Sequence, residues 1–179
     1  MIVQAGLFLI ETLTGFLSLA LLLRFYMQAF RVSFANPVGT FVIELTNWVV
    51  RPLRRIVPAF RGLDLASLLP AYLLQLVFIW ALLAVRGAEG PWSPEIVVPL
   101  LLWQALLAVL RLSLYLLIGA LLVQALLSWF SPYSPLGRPL TELTAPFLRP
   151  IQRIVPPIGA VDLSPLIAIV LAQLLLIFL

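Results

Sequence analysis

The chain has 179 residues, of which 63% are hydrophobic and only 10% charged, and its mean hydropathy is +1.15; a soluble domain carries roughly 45–50% apolar and 25% charged residues. This composition excludes an ordinary soluble domain and makes the chain a membrane protein of net charge +4. Cysteine and histidine are both absent, which removes disulfides, thiolate metal sites, the cysteine nucleophile, the usual general base and the usual zinc or haem ligand, so no metal or cofactor is expected.

The first apolar run, about Ile2 to Phe30, lacks a basic leading segment, a short apolar core and a small-residue cleavage pattern. It is therefore expected to be a retained helix and not a signal peptide. It carries two charges, Glu11 and Arg24. Next, Val38, Phe41, Val42, Leu45, Trp48 and Val49 fall at helical spacing while Thr40, Glu44 and Asn47 take the other face, which predicts a short amphipathic helix lying in the membrane interface. Leu65 to Val85 predicts a second spanning helix, with Gln75 about three turns in. Residues 86–95 contain Gly87, Gly90, Pro91 and Pro94 and read as an outer loop. Ile96 to Phe130 predicts a third span containing Arg111. Leu136, Leu140, Leu143 and Phe147 suggest another interfacial helix, with Pro139 and Pro146 expected to break it into shorter turns. Leu163 to Leu179, with Gln173, predicts a fourth and shortest span. Each apolar run is near or above the roughly 17 to 25 residues a helix needs to cross a bilayer.

The stretch Asn36–Phe78 reappears without a gap 98 residues later as Ser134–Leu176. The agreement falls on Pro, Gly, Arg, Asp, Glu and Gln, which apolar composition alone does not align, so the chain is an internal duplication. All 11 basic residues are arginine. Arg31, Arg51, Arg54, Arg55 and Arg61 follow the first span, and Arg138, Arg149 and Arg153 follow the third. Because orientation follows basic residues in short loops, both segments are expected to face the cytoplasm, with the N-terminus outside. The fold expected is all-α, with four transmembrane helices built as two parallel helical hairpins plus interfacial amphipathic helices. Residues 1–85 form the first repeat, 86–95 the outer loop and 96–179 the second repeat.

Each basic segment ends in a compact signature: Arg51-Pro-Leu-Arg-Arg-Ile-Val-Pro58 followed by Gly62-Leu-Asp64-Leu, and Arg149-Pro-Ile-Gln-Arg-Ile-Val-Pro156 followed by Val161-Asp-Leu-Ser-Pro165. With Ser128-Trp129 and Ser134-Pro135 ahead of the second copy, this resembles the YggT family of bacterial and plastid membrane proteins, also called YlmG. The resemblance covers nearly the whole chain in doubled form; the first copy departs from it at Trp48 and Ser67, where the second has Pro146 and Pro165. It implies a small multi-pass protein of the bacterial inner membrane linked to envelope processes, namely cell division, complex maturation and osmotic stress tolerance. It brings no catalytic residue, and the chain is expected not to be an enzyme.

Asp64 and Asp162 stand just before the second and fourth spans, where a carboxylate accepts the unpaired N–H groups of the first helical turn, and both are expected to be helix caps. Pro165 would then sit at the third helical position, which needs no N–H donor. Arg51, Arg54, Arg55, Arg149 and Arg153 are expected beside anionic lipid headgroups, each contributing about 1 kcal/mol of attraction, or as docking points for an unidentified membrane protein partner. Gln75 and Gln173 are expected to hydrogen-bond between helices. Registering the repeats places Glu11 and Arg111 at nearly one outer level, where they either pair across the two units or reach the headgroups separately. Arg111 near the interface leaves Ile96–Leu110 beyond the core, needing the interface or a partner to cover it. Trp80, Trp92, Trp103, Trp129 and Tyr133 read as interface anchors.

Two functional readings follow. One is a non-enzymatic membrane scaffold or assembly factor with a basic cytoplasmic face. The other is a small oligomeric channel or transporter, with the glutamines and Arg24 lining its path. A homo-oligomer is compatible with both, and direct nucleic-acid contact with neither. Haem handling is disfavoured by the absence of His and Cys, which leaves Met27 alone beyond the first residue.

Overall fold

The computed structural model describes residues 2–57, 62–85, 94–131, 133–155 and 162–179, apart from the side chains of Ile2 and Trp129. Pro58, Arg61, most of the outer loop including Trp92, and Pro156 to Val161 lie outside the described residues. Within them every regular element is a helix: α1 (Ile2–Ala29), α2 (Pro37–Leu53), α3 (Leu65–Val85), α4 (Pro94–Phe130), α5 (Gly137–Ile154) and α6 (Ser164–Phe178). Three of these, α1, α3 and α4, are long and apolar enough to cross a membrane. The 15 residues of α6 are equally apolar, but at ~1.5 Å per residue they reach only about 22 Å of a core of roughly 30 Å. Exposed Phe8, Leu13 and Phe16 on α1, Val77 and Trp80 on α3, and Trp103, Leu106 and Leu126 on α4 form the apolar surface of a chain solvated by lipid.

The helices α1 and α3 pack side by side, and α4 packs against α1, α3, α5 and α6. Small residues permit the close α1–α3 contact: Ser18 Oγ donates to the Ala71 carbonyl at 3.4 Å, and Ala66 and Ala71 are buried against Leu21, Leu22, Val50 and Val109. A second apolar cluster joins Met27, Val32, Ala120 and Leu143, and a third joins Leu121, Leu148 and Ala168. Phe30 meets Phe147 edge to face at 5.8 Å and ties α1 to α5. The first half of α4 runs beside α3, where Val98 and Leu101 line one groove with Trp80 and Tyr72 Oη donates to the Leu102 carbonyl at 3.0 Å. Ala105 and Val109 are buried, but Ile96, Val98, Leu100, Trp103 and Leu106 stay exposed, so most of the segment's apolar surface is left for the interface or a partner, as expected.

The turn out of α1 is sharp. Arg31 takes a left-handed conformation (φ 58°), with Val32 N–H donating to Met27 O at 2.8 Å and Arg31 N–H to Gln28 O at 3.2 Å, so two last-turn carbonyls are satisfied in a Schellman arrangement. Asn36 then caps α2 by accepting the Gly39 N–H at 2.9 Å. A side chain at position 39 would collide with the Phe34 backbone, its Cβ falling 2.6 Å from the carbonyl oxygen.

The amphipathic helix expected after α1 is present as α2; its inward face is Gly39, Val42, Thr46 and Val50, whereas Phe41 and Trp48 are exposed. Two expectations about the other elements are corrected. The helix α5 is continuous through Pro146 and Pro150. Pro139 sits in its first turn, where no N–H is required, and the two later prolines free only the Glu142 and Pro146 carbonyls, while Leu143, Thr144 and Leu148 anchor the helix inward. Finally, α4 begins at Pro94, so Pro94 and Glu95 belong to a helix and not to the loop.

Candidate docking face and its polar supports

The two signatures lie at the C-terminal ends of α2 and α5. In the first, Arg54 follows α2 and turns back toward the start of α3. Its Nε donates to Asp64 Oδ1 at 3.2 Å, and its Nη2 donates to Asp64 Oδ2 at 2.5 Å and to Gln28 Oε1 at 2.7 Å. Ser67 Oγ donates to Asp64 Oδ2 at 2.7 Å. Asp64 is 1% exposed, and Gly62, at φ 87°, turns the chain into it. Burial pushes the Asp64 carboxyl up, but the hydrogen bonds from Arg54 and Ser67, with the charges of Arg54 and Arg24, outweigh it and hold the group below the usual carboxylate range.

In the second half the residue matching Arg54 is Gln152, and it makes the same connection. Its Nε2 donates to Asp162 Oδ2 at 2.9 Å, while the Ser164 N–H donates to Asp162 Oδ1 at 2.9 Å. The capping expectation thus divides. Asp162 does accept a first-turn N–H, from a place one residue outside the cap, and Pro165 stands at the second helical position instead of the third. The Asp64 carboxylate instead holds Arg54 and the Ser67 hydroxyl. Arg54, expected to face lipid or a partner, is committed to the protein's own carboxylate.

Deeper in, Arg24 is 5% exposed and donates to Thr46 Oγ1 at 2.7 Å and Asn47 Oδ1 at 3.1 Å, which fastens α2 to α1. Thr144 fastens α5 to α4 in the same manner, its hydroxyl donating to Gln124 Oε1 at 2.7 Å. Both threonines are fully buried. Sequence reasoning missed this pair of latches, although a threonine repeated on the inward face of two amphipathic helices was a readable signal.

What remains outward is a matched set. Arg51, Arg55, Arg149 and Arg153 are exposed, and none of them forms an ion pair among the described residues. Ile56 and Ile154, beside them, are each 81% exposed, apolar side chains held out next to cations. Gln75 Nε2 donates to Ser18 Oγ at 3.0 Å between α3 and α1, as expected. Gln173 does not repeat this. It is exposed, because Leu116 stands where the first half has Ser18. Nor do Glu11 and Arg111 pair: both are exposed, and Arg111 donates to the Leu179 carbonyl oxygen at the end of α6. No cluster of potential metal ligands occurs among the described residues.

The profile of the CCB3/YggT family matches residues 3–85 and 103–179. The chain belongs to the CCB3/YggT family. Among its relatives, an uncharacterized protein of Pseudomonas aeruginosa is 36% identical over 173 residues, covering 96% of this chain and 86% of that one. The uncharacterized protein YggT of Escherichia coli K12 is 37% identical over 165 residues, covering 92% and 83%. The uncharacterized protein ycf19 of Guillardia theta is 35% identical over 65 residues, covering 35% of this chain and 69% of that one. No solved structure matches.

Proposed function

We propose that this family member is a non-enzymatic integral membrane scaffold or assembly factor of the bacterial inner membrane, acting in envelope processes such as cell division, complex maturation or osmotic stress tolerance. Four helices cross the bilayer as two parallel hairpins, with α6 reaching across by local thinning of the lipid. The amphipathic α2 and α5 lie in the cytoplasmic interface. The observation that carries this reading is the matched outward set of Arg51, Arg55, Arg149 and Arg153 beside exposed Ile56 and Ile154. Cations above an inserted apolar side chain fit an anionic headgroup layer, and four arginines on one face also fit an acidic partner.

The channel reading is supported less well, because Arg24 and Gln75 are both buried and hydrogen-bonded. The test is to replace the four exposed arginines by Gln and measure phospholipids and proteins retained on mild extraction from native membranes. Retained anionic lipid and partner should fall while the thermal midpoint stays put. An unchanged complement would overturn the scaffold reading, and ion flux above that of protein-free vesicles from the purified wild type would replace it with the channel.

A further inference from the structure

The helix α6 turns Ala168 and Ala172 inward, where both are buried, and presents Leu166, Val170, Gln173 and Ile177 on the opposite side. All four are exposed, at 60% for Leu166 and 77% for Ile177. Their spacing is four, three and four residues, the seam of a left-handed helix pair. At ~1.5 Å per residue Gln173, the tenth residue of α6, lies roughly 14 Å from the helix start, close to the middle of a core of about 30 Å. The Gln173 side chain makes no hydrogen bond to the described residues, and at that depth neither water nor headgroups reach it. A carboxamide in hydrocarbon needs both a donor and an acceptor.

We propose that two copies of the chain associate through α6, packed in parallel about a twofold axis along the membrane normal, with the two Gln173 amides hydrogen-bonded across the seam. A second copy is the occupant that the geometry favours. It enters the bilayer in the same sense, so its Gln173 arrives at the same depth, and an amide is its own complement because each supplies one N–H and one C=O. The branched Val170 and Ile177 alternate with Leu166 and Gln173 in the order that favours two parallel strands, and one polar residue in such a seam sets register and stoichiometry. The proposal rests on α6 crossing the membrane, and its test separates the two.

Because the chain has no cysteine, single cysteines at Leu166, Val170 and Ile177 can be oxidised in intact vesicles, with Leu171→Cys as a control lying off the seam. The seam positions should form disulfide-linked dimers and position 171 should not. In a bilayer dilution series read by fluorescence transfer, Gln173→Leu should weaken association roughly three- to tenfold, the range of an interhelical polar contact, and Gln173→Asn should retain most of it. Equal crosslinking on and off the seam, or no energy transfer at any density, would overturn the dimer. Labelling of every α6 cysteine by a membrane-impermeant maleimide would instead remove α6 from the membrane and the proposal with it.

Discussion

Asp64 and Asp162 occupy one place in the repeat, but one is buried against an arginine and the other exposed against a glutamine. Arg54→Gln keeps a hydrogen bond of the kind Gln152 makes but removes the charge beside a buried carboxylate, so it should be destabilising, though less than Arg54→Ala, which leaves that carboxylate without its main partner and should cost about 2–3 kcal/mol. Asp162→Ala should cost less, roughly 0.5–1 kcal/mol, because that carboxylate lies in solvent; thermal unfolding in detergent ranks the three, and equal losses would refute the division. Acid tests the charge at Asp64. The Asp64 pKa is depressed in the folded chain, so its stabilising contribution is present above the ordinary value of about 3.9 and disappears as pH falls through the folded one. The stability advantage of wild type over Asp64→Asn should be full at pH 6 and shrink progressively below pH ~4. An advantage independent of pH would mean that Asp64 acts by shape and not by charge.

At the level of helices, Gly39 and Gly137 are equivalent in sequence and opposite in consequence. Gly39→Ala drives a Cβ into the Phe34 backbone and should destabilise by about 1–3 kcal/mol, as overpacking does. Nothing lies within 4 Å of a Cβ at Gly137, so Gly137→Ala in α5 should be neutral or stabilising by up to roughly 1 kcal/mol. Chemical or thermal denaturation of the two variants decides the point. The apolar helices themselves were legible in the sequence, since hydropathy alone marked α1, α3, α4 and α6 almost to their ends. Their inward faces were not, because a helix apolar all round has no face to read. Only polar side chains mark orientation there. Gln75 did so within the chain, whereas Gln173 finds no partner among the described residues, because Leu116 stands one helix away where the first half has Ser18. The partners of Arg24 and Arg54 were equally hidden, since both contacts join residues brought together by the folding of α2 against α1 and α3.

At the scale of the molecule, three contacts hold each amphipathic helix to the spans around it: a buried threonine latch, an aspartate tie, and apolar packing through Val42 and Val50 or Leu143 and Leu148. The same construction in both halves gives α2 and α5 the same relation to their own spans, which requires both to lie on one side of the bilayer if the hairpins run in the same sense. Under the proposed function that side is the cytoplasm, where the positive-inside rule would put the arginines. Thr46 and Thr144 are too deeply buried to serve as reporters, so cysteines belong at exposed Glu44 and Thr141, with a third at exposed Gln4 near the N-terminus. In sealed right-side-out vesicles an impermeant maleimide should reach Gln4→Cys alone, and in inverted vesicles it should reach Glu44→Cys and Thr141→Cys together. Labelling of positions 44 and 141 from opposite sides would make the duplication an inverted repeat. It would also separate the four outward arginines into two faces, leaving no single surface on which a lipid layer or partner could meet them.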